Sequence, residues 1–194
     1  MDLKGAKIMN MITSLSDLAT AVGQGGTETY YIDESLVIDV TNTVKLNNEE
    51  AKVTIDLGSN VVTGGSDDTS ARAFPFYLID GEMNLKNGVI RAISAFIDAD
   101  NETRYNAVNA EGGVLNIEGT TIELEEGTIV VSYSGATGTL KNVTINADDP
   151  NSVNHNMTMI GAYAGSNVRV ENCVINADQA AVYSSSSGGA GTVI

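Results

Sequence analysis

The chain has 194 residues, enough for one domain with its own core. With 25 acidic against 10 basic side chains it carries a formal charge of −15, a surface that repels phosphate backbones and argues against a nucleic-acid partner. Cys173 and His155 are the only cysteine and histidine, which excludes an internal disulfide and a structural zinc site, and no apolar run approaches the ~20 residues of a membrane span.

Residues 1–11 form an N-terminal extension. "MDLKGAKIMN" has a lysine at position 4 but no continuous apolar stretch and no small-residue cleavage site, so it does not read as a secretory signal. Either the chain works where it is made, or it leaves by another route such as assembly into a larger particle, for which this segment would be a natural attachment peptide. Residues 12–26 read as a capping helix. Ser14 or Ser16 supplies the N-cap, Ile12, Leu15, Leu18, Ala19 and Val22 share one face at helical spacing, and glycines 23, 25 and 26 end it.

From residue 27 to 194 the chain reads as strands. "KVTIDL", "FPFYLI", "TIELEEGTIVVSY" and "NVRVENCVI" are rich in β-branched and aromatic residues and alternate with period two. Within them one phrase returns: "LKNGVI" at 85–90, "IEGTTI" at 117–122, "LKNVTI" at 140–145 and "VENCVI" at 170–175. Its third position falls at Asn87, Gly119, Asn142 and Asn172, at intervals of 32, 23 and 30 residues. A period of 20–50 residues is the signature of stacked repeats. Asn and Gly are the residues that adopt left-handed backbone angles cheaply, so one of them between two short strands turns the chain sharply. These four positions are expected to form a structural turn ladder, with asparagine amides bonding along the stack and Gly119 giving up that contact.

Alternation assigns the faces. Leu85, Ile117, Leu140 and Val170 should point inward before the turn, and Ile90, Ile122, Ile145 and Ile175 after it, followed by Ala92, Leu124, Ala147 and Ala177. Val89, Thr121, Thr144 and Val174 should face out. Cys173 falls in phase with inward Val143 and Thr120, which makes it a small core residue rather than a nucleophile. Tyr133, Tyr163 and Tyr183 recur in the segment before serine- and glycine-rich turns.

The phrase, its period and the strand content resemble the right-handed parallel β-helix of pectate-lyase-like proteins, phage tailspikes and bacterial adhesins. The fold class expected is therefore all-β, a right-handed parallel β-helix solenoid with an N-terminal capping α-helix. The resemblance covers about residues 28–194; the first turns, "YYIDESLVIDV" and "TVKLNN", fit strands but depart from the phrase. At the other end, Ile194 is expected at the inward position one rung after Val170. That leaves three accounts open: a longer protein, a rung completed by another chain, or a tolerated frayed end.

Chemistry is harder to find. A glycosidase needs two carboxyls facing each other roughly 5 to 9.5 Å apart. Asp67 with Asp68 and Asp148 with Asp149 are adjacent, and adjacent strand residues point to opposite faces. The Gly-His-Gly and Arg-x-Lys pattern of polygalacturonase-like proteins is missing. "DADNET" at 98–103 begins like a calcium loop, but Thr103 and Asn109 stand where Gly and Glu are required. No catalytic residue, metal or cofactor is assigned. The longer rungs owe their length to "SAFIDADNETRY" and "DDPNSVNHN", expected to leave from one corner. That acidic, Asn-rich edge, with Asp98, Asp100, Asn101, Glu102, Asp148, Asp149, Asn151 and His155, is the candidate contact surface for a partner or glycan.

The expected function is a non-enzymatic structural or adhesive module, part of a virion (a phage capsid fibre, decoration or tail) and able to touch host glycans. The resemblance implies a homotrimer or larger assembly, with outward Val89 and Val174 as contact candidates. The alternatives are the N-terminal part of a polysaccharide lyase or glycoside hydrolase whose catalytic rungs lie past residue 194, and a bacterial surface adhesin.

Overall fold

The computed structural model describes residues 10–38, 43–64, 75–92, 107–124, 129–147, 158–177, 182–184 and 191–194. They form a parallel β-helix: every strand pairing is parallel, and successive rungs stack in register.

Each complete rung has three legs. The first leg comprises the start of β4 (Val44–Asp56), the start of β6 (Phe76–Lys86), β8 (Val108–Ala110), β11 (Ile129–Ser134), β14 (Thr158–Tyr163) and β17 (Val182–Ser184). The second leg runs from β2 (Thr27–Ile32) through the ends of β4 and β6 to β9 (Val114–Glu118), β12 (Thr137–Lys141), β15 (Asn167–Glu171) and β18 (Thr192–Val193). The third stacks β3 (Leu36–Ile38), β5 (Val61–Gly64), β7 (Val89–Ala92), β10 (Thr121–Leu124), β13 (Thr144–Ala147) and β16 (Val174–Ala177) as a separate six-stranded sheet.

The N-terminal end is covered as the sequence predicts. Helix α1 (Leu15–Gln24) is capped by Ser14, whose hydroxyl accepts from the Asp17 N–H at 3.2 Å, and Gly25 closes it with a left-handed φ of 71°. Leu18 and Val22 are fully buried against the first rungs. The border with the extension differs from expectation. Asn10–Ile12 form β1, a strand paired with Tyr30–Ile32 of β2, so Ile12 seals the core from a strand and not from the helix.

The turn between the second and third legs depends on the repeated phrase. Asn87, Gly119, Asn142 and Asn172 have φ of 59°, 64°, 54° and 52°, all left-handed. The contacts along this column are made by the backbone. The N–H of Asn87 donates to the Glu118 carbonyl, Gly119 to Lys141 and Asn142 to Glu171, at 2.9, 3.0 and 2.9 Å. The expected side-chain amide ladder is not what forms: the Asn87 amide instead donates to the Asp56 carboxylate at 2.8 Å. The reason is geometric. A left-handed residue turns its N–H toward the next rung and its side chain outward, so glycine loses nothing essential at 119.

Inward positions follow the alternation. Leu85, Ile117 and Leu140 are fully buried on the second leg, Ile90, Ile122 and Ile145 on the third, and Ala92, Leu124 and Ala147 nearly so. Val143 and Thr120 are buried in the turn column, and Cys173 packs against the same core while remaining half-buried.

The first leg departs from alternation. Val130, Val131, Ser132 and Tyr133 are all buried, as are Met159 to Ala162, so these strands are covered on both faces. The tyrosines do not stack either. Tyr133 pairs with Ala162, and Tyr163 with Ser134, a slip of one residue that sends Tyr133 inward and Tyr163 to the other face. Inside, Tyr133 fills the space left by Gly138 and its hydroxyl donates to the Leu115 carbonyl at 3.1 Å. Burial pushes its phenol far above the ordinary range. At the C-terminal end Val168 pairs with Val193, which puts Ile194 opposite outward Arg169, and Ile194 is 73% exposed. The rung is one residue longer than the phrase spacing implies.

Two substitutions probe the core and the corner. A Cβ at Gly138 would overlap the Leu115 carbonyl oxygen and press on the Tyr133 ring, so Gly138→Ala should cost about 1–3 kcal/mol in urea unfolding. Asn142→Ala should cost about 1–2 kcal/mol through its left-handed φ, whereas Asn142→Gly should lie within a few tenths of wild type; equal losses would show that φ is not the constraint.

Candidate functional site

The sequence-predicted contact residues Asp98, Asp100, Asn101, Glu102, Asp148, Asp149, Asn151 and His155 lie outside the described residues. What is described is where their segments begin and end. Ile38, Gly64, Ala92, Leu124, Ala147 and Ala177 form one register column at the end of the third leg. Val44, Phe76, Val108, Val131, Ile160 and Val182 form the matching column where the first leg starts. The segments after Ala92 and Ala147 therefore leave from, and return to, the same edge of the solenoid.

The turn positions of the predicted ladder form a second feature, on the opposite border of the third leg, and beside them the outer face of the second leg carries the best-defined polar site among the described residues. Two outward columns run along the stack there, because residues two apart on a strand share a face. One consists of Asn84, Asn116 and Thr139, and the other of Lys86, Glu118 and Lys141. Between them lies a shallow furrow of about 240 Å³, floored by the backbone at Leu85 and Ile117.

The first column is an amide ladder. Asn116 donates to the Asn84 side-chain oxygen at 3.0 Å and accepts from the Thr139 N–H at 3.1 Å. Asn84 also donates to Glu82 at 3.0 Å. An outward strand position is where stacked asparagines meet, since side chains one rung apart stand parallel roughly 4.8 Å away. The same contact recurs on the third leg, where Asn176 donates to Asn146 at 2.9 Å.

The second column alternates in charge. In register order it reads Asp56, Lys86, Glu118, Lys141, Glu171. Glu118 sits between two cations, 3.8 Å from Lys86 and 3.3 Å from Lys141, and Glu171 pairs with Arg169 on its own strand. On the next column Lys52 meets Glu82 at 2.7 Å. Burial would raise the Glu82 carboxyl, but hydrogen bonds from Lys52 and Asn84 and the Lys52 charge outweigh it and hold the group below its ordinary range. On the third leg Arg91 pairs with Glu123 at 2.6 Å.

Chemically this is a face of mutually neutralised groups. Carboxylates here alternate with cations, so none stands free opposite a second carboxylate as hydrolysis would need. Among the described residues no three His, Cys, Asp or Glu side chains converge on a metal position. No helix among them is long and apolar enough to cross a membrane. No family model, curated protein or solved structure matches the chain.

The sequence reading missed both columns, although the signal was present. Lys86, Glu118, Lys141 and Glu171 each precede a left-handed turn position by one residue, so aligning the phrases puts their charges in one column.

The depressed Glu82 carboxyl sets a pH dependence. A lowered folded pKa contributes stability that is complete above the unfolded value near ~4.3 and lost as pH falls through the folded value. Urea midpoints measured from pH 6 to pH 3 should fall more for wild type than for Glu82→Gln, by about 0.5–1 kcal/mol for a pair this exposed. Parallel profiles would remove Glu82 from the account.

Proposed function

We propose that this chain is a non-enzymatic structural or adhesive β-helix module, of the kind that builds a phage capsid fibre, decoration or tail component of a virion. One observation carries the reading. Across four consecutive rungs, from β4 to β12, the outer second leg is built of groups that bond to one another along the stack: an amide column, an alternating ionic column and a Lys52–Glu82 pair. A surface spent on its own rungs stiffens a shaft. A catalytic cleft would hold some polar groups aimed at an absent substrate instead.

In this reading the protein works on a virion or an extracellular surface, as part of a homo-oligomer or larger assembly. Contact with host glycans falls to the acidic, Asn-rich edge holding Asp98, Asp100, Asn101, Glu102, Asp148, Asp149, Asn151 and His155. The bacterial surface adhesin is the same physical proposal with a different anchor.

The test is to look for the protein, by mass spectrometry, in purified particles and surface fractions of its native source, and to incubate the purified chain with acidic and neutral polysaccharides. Recovery with the particle or surface fraction and no new reducing or unsaturated ends is the expected result. Depolymerisation by the purified protein or by its native full-length form would overturn the reading and favour a lyase or hydrolase.

A further inference from the structure

We infer that the outer face of the second leg is the surface on which two copies of this chain meet, packed antiparallel about a two-fold axis that runs along the strands.

Charge favours this face over the others. A chain of net charge −15 repels its own copies over most of its surface. Over the five rungs from β4 to β15, the second leg carries Lys52, Lys86, Lys141 and Arg169 against Asp56, Glu82, Glu118 and Glu171. Four bases balance four acids, so this face is neutral, and the excess acid of the chain lies elsewhere. Two copies can approach each other here without the Coulomb penalty that opposes contact on an acidic side.

The order of those charges is self-complementary. The first four members of the column, Asp56, Lys86, Glu118 and Lys141, read minus, plus, minus, plus along the stack, and the fifth, Glu171, falls beyond them opposite the uncharged Tyr31 of the β2 rung. Read backwards the four are plus, minus, plus, minus, so they complement their own reverse. A two-fold axis along the strands, passing between the Lys86 and Glu118 rungs, reverses rung order while keeping each column over itself. Lys86 then faces the partner's Glu118, Glu118 the partner's Lys86, and Asp56 and Lys141 pair in the same reciprocal way. That is the self-complementarity an isologous dimer requires. The side chains of Lys86, Glu118 and Lys141 are 44%, 45% and 46% exposed, so each can add a partner without giving up its own-chain contact.

Tight turns border most rungs of this leg, at 111–113, 135–136 and 164–166 before it and at 87–88, 119–120 and 142–143 after it; β4 is the exception, with extra residues where its register shifts between Asn47 and Lys52. The long insertions leave from the Ala92 and Ala147 column, at the far end of the third leg from these turns. The four rungs whose charges pair across this axis, β4 to β12, at ~4.8 Å each, and five residues at ~3.4 Å give a footprint of roughly 330 Å² per copy. That is well under a standard interface at ~800 Å² per partner, so the dimer is weak and its attraction is electrostatic.

Sedimentation equilibrium of the intact chain over a concentration series decides it. At ~50 mM salt the weight-average mass should climb with concentration from 20.2 kDa toward twice that value, and at ~500 mM it should stay near the monomer. Lys86→Glu and Glu118→Lys should each remain monomeric at low salt, because each sets like charges across the axis. An equimolar mixture of the two should dimerise again. In the mixed pair positions 86 and 118 are both acidic on one copy and both basic on the other, so opposite charges face each other at both crossings. Ladder repair within one chain cannot produce that rescue. Circular dichroism confirms folding, and Lys86→Ala, which leaves Glu118 its bond to Lys141, replaces either variant that fails to fold and should weaken the dimer severalfold. A wild type that stays monomeric at low salt, an association that salt strengthens, or a mixture that does not recover each overturns the proposal. A trimer at any salt would do so as well, and would return the assembly to another face.

Discussion

Everything in this structure depends on one spacing, the ~4.8 Å step between hydrogen-bonded parallel strands. A rung can stack on the next only if its corners are tight and fall at the same place each time. The left-handed residue at the second corner meets that demand with a single position. Asn87, Gly119, Asn142 and Asn172 turn the chain, and the N–H groups of the first three bond to the carbonyl one rung on. Once that corner is fixed, the strands on either side have no freedom of register, and inward and outward positions repeat down the whole stack.

The repeat of corners then turns a one-dimensional sequence into columns, and columns amplify small choices. A single buried Leu contributes on the order of 2 kcal/mol, but Leu85, Ile117 and Leu140 in line also exclude water from one another. An asparagine outside a stack would be solvated and of little energetic weight; Asn84 and Asn116 in adjacent rungs hold each other at 3.0 Å. Even exposed ions, weak singly, become ordered when Glu118 is held between Lys86 and Lys141.

Much of this was legible in the residues. The repeated phrase gave away the fold, the corner and the inward positions, because each depends on a local rule: period two for faces, and Asn or Gly for a left-handed φ. What was not legible depends on relations between rungs. The slip that separates Tyr133 from Tyr163 comes from an extra residue in the turn at 164–166 against that at 135–136, and the motif that would mark it does not reach that corner. The displacement of Ile194 to an outward position has the same origin, a rung whose length the phrase does not set. The amide ladder was placed at the wrong column for a physical reason. Its carriers are outward strand residues, whereas a left-handed asparagine uses its backbone for the stack. The acidic edge that the sequence singled out falls outside the described residues, and the charged column that the structure offers instead needed the phrases aligned by rung before its alternation could be seen.

The corner between the third and first legs has a different consequence. The anchor columns from Ile38 to Ala177 and from Val44 to Val182 hold their register while the chain between them varies from four residues to fifteen. Lengthening a connection whose ends are already fixed costs little, since each doubling adds only about 0.6 kcal/mol of closure entropy. The solenoid thus separates what must be conserved in geometry from what is free to diversify. A lineage carrying it could exchange the contents of that edge, or an engineer could graft a peptide there, without renegotiating a single rung.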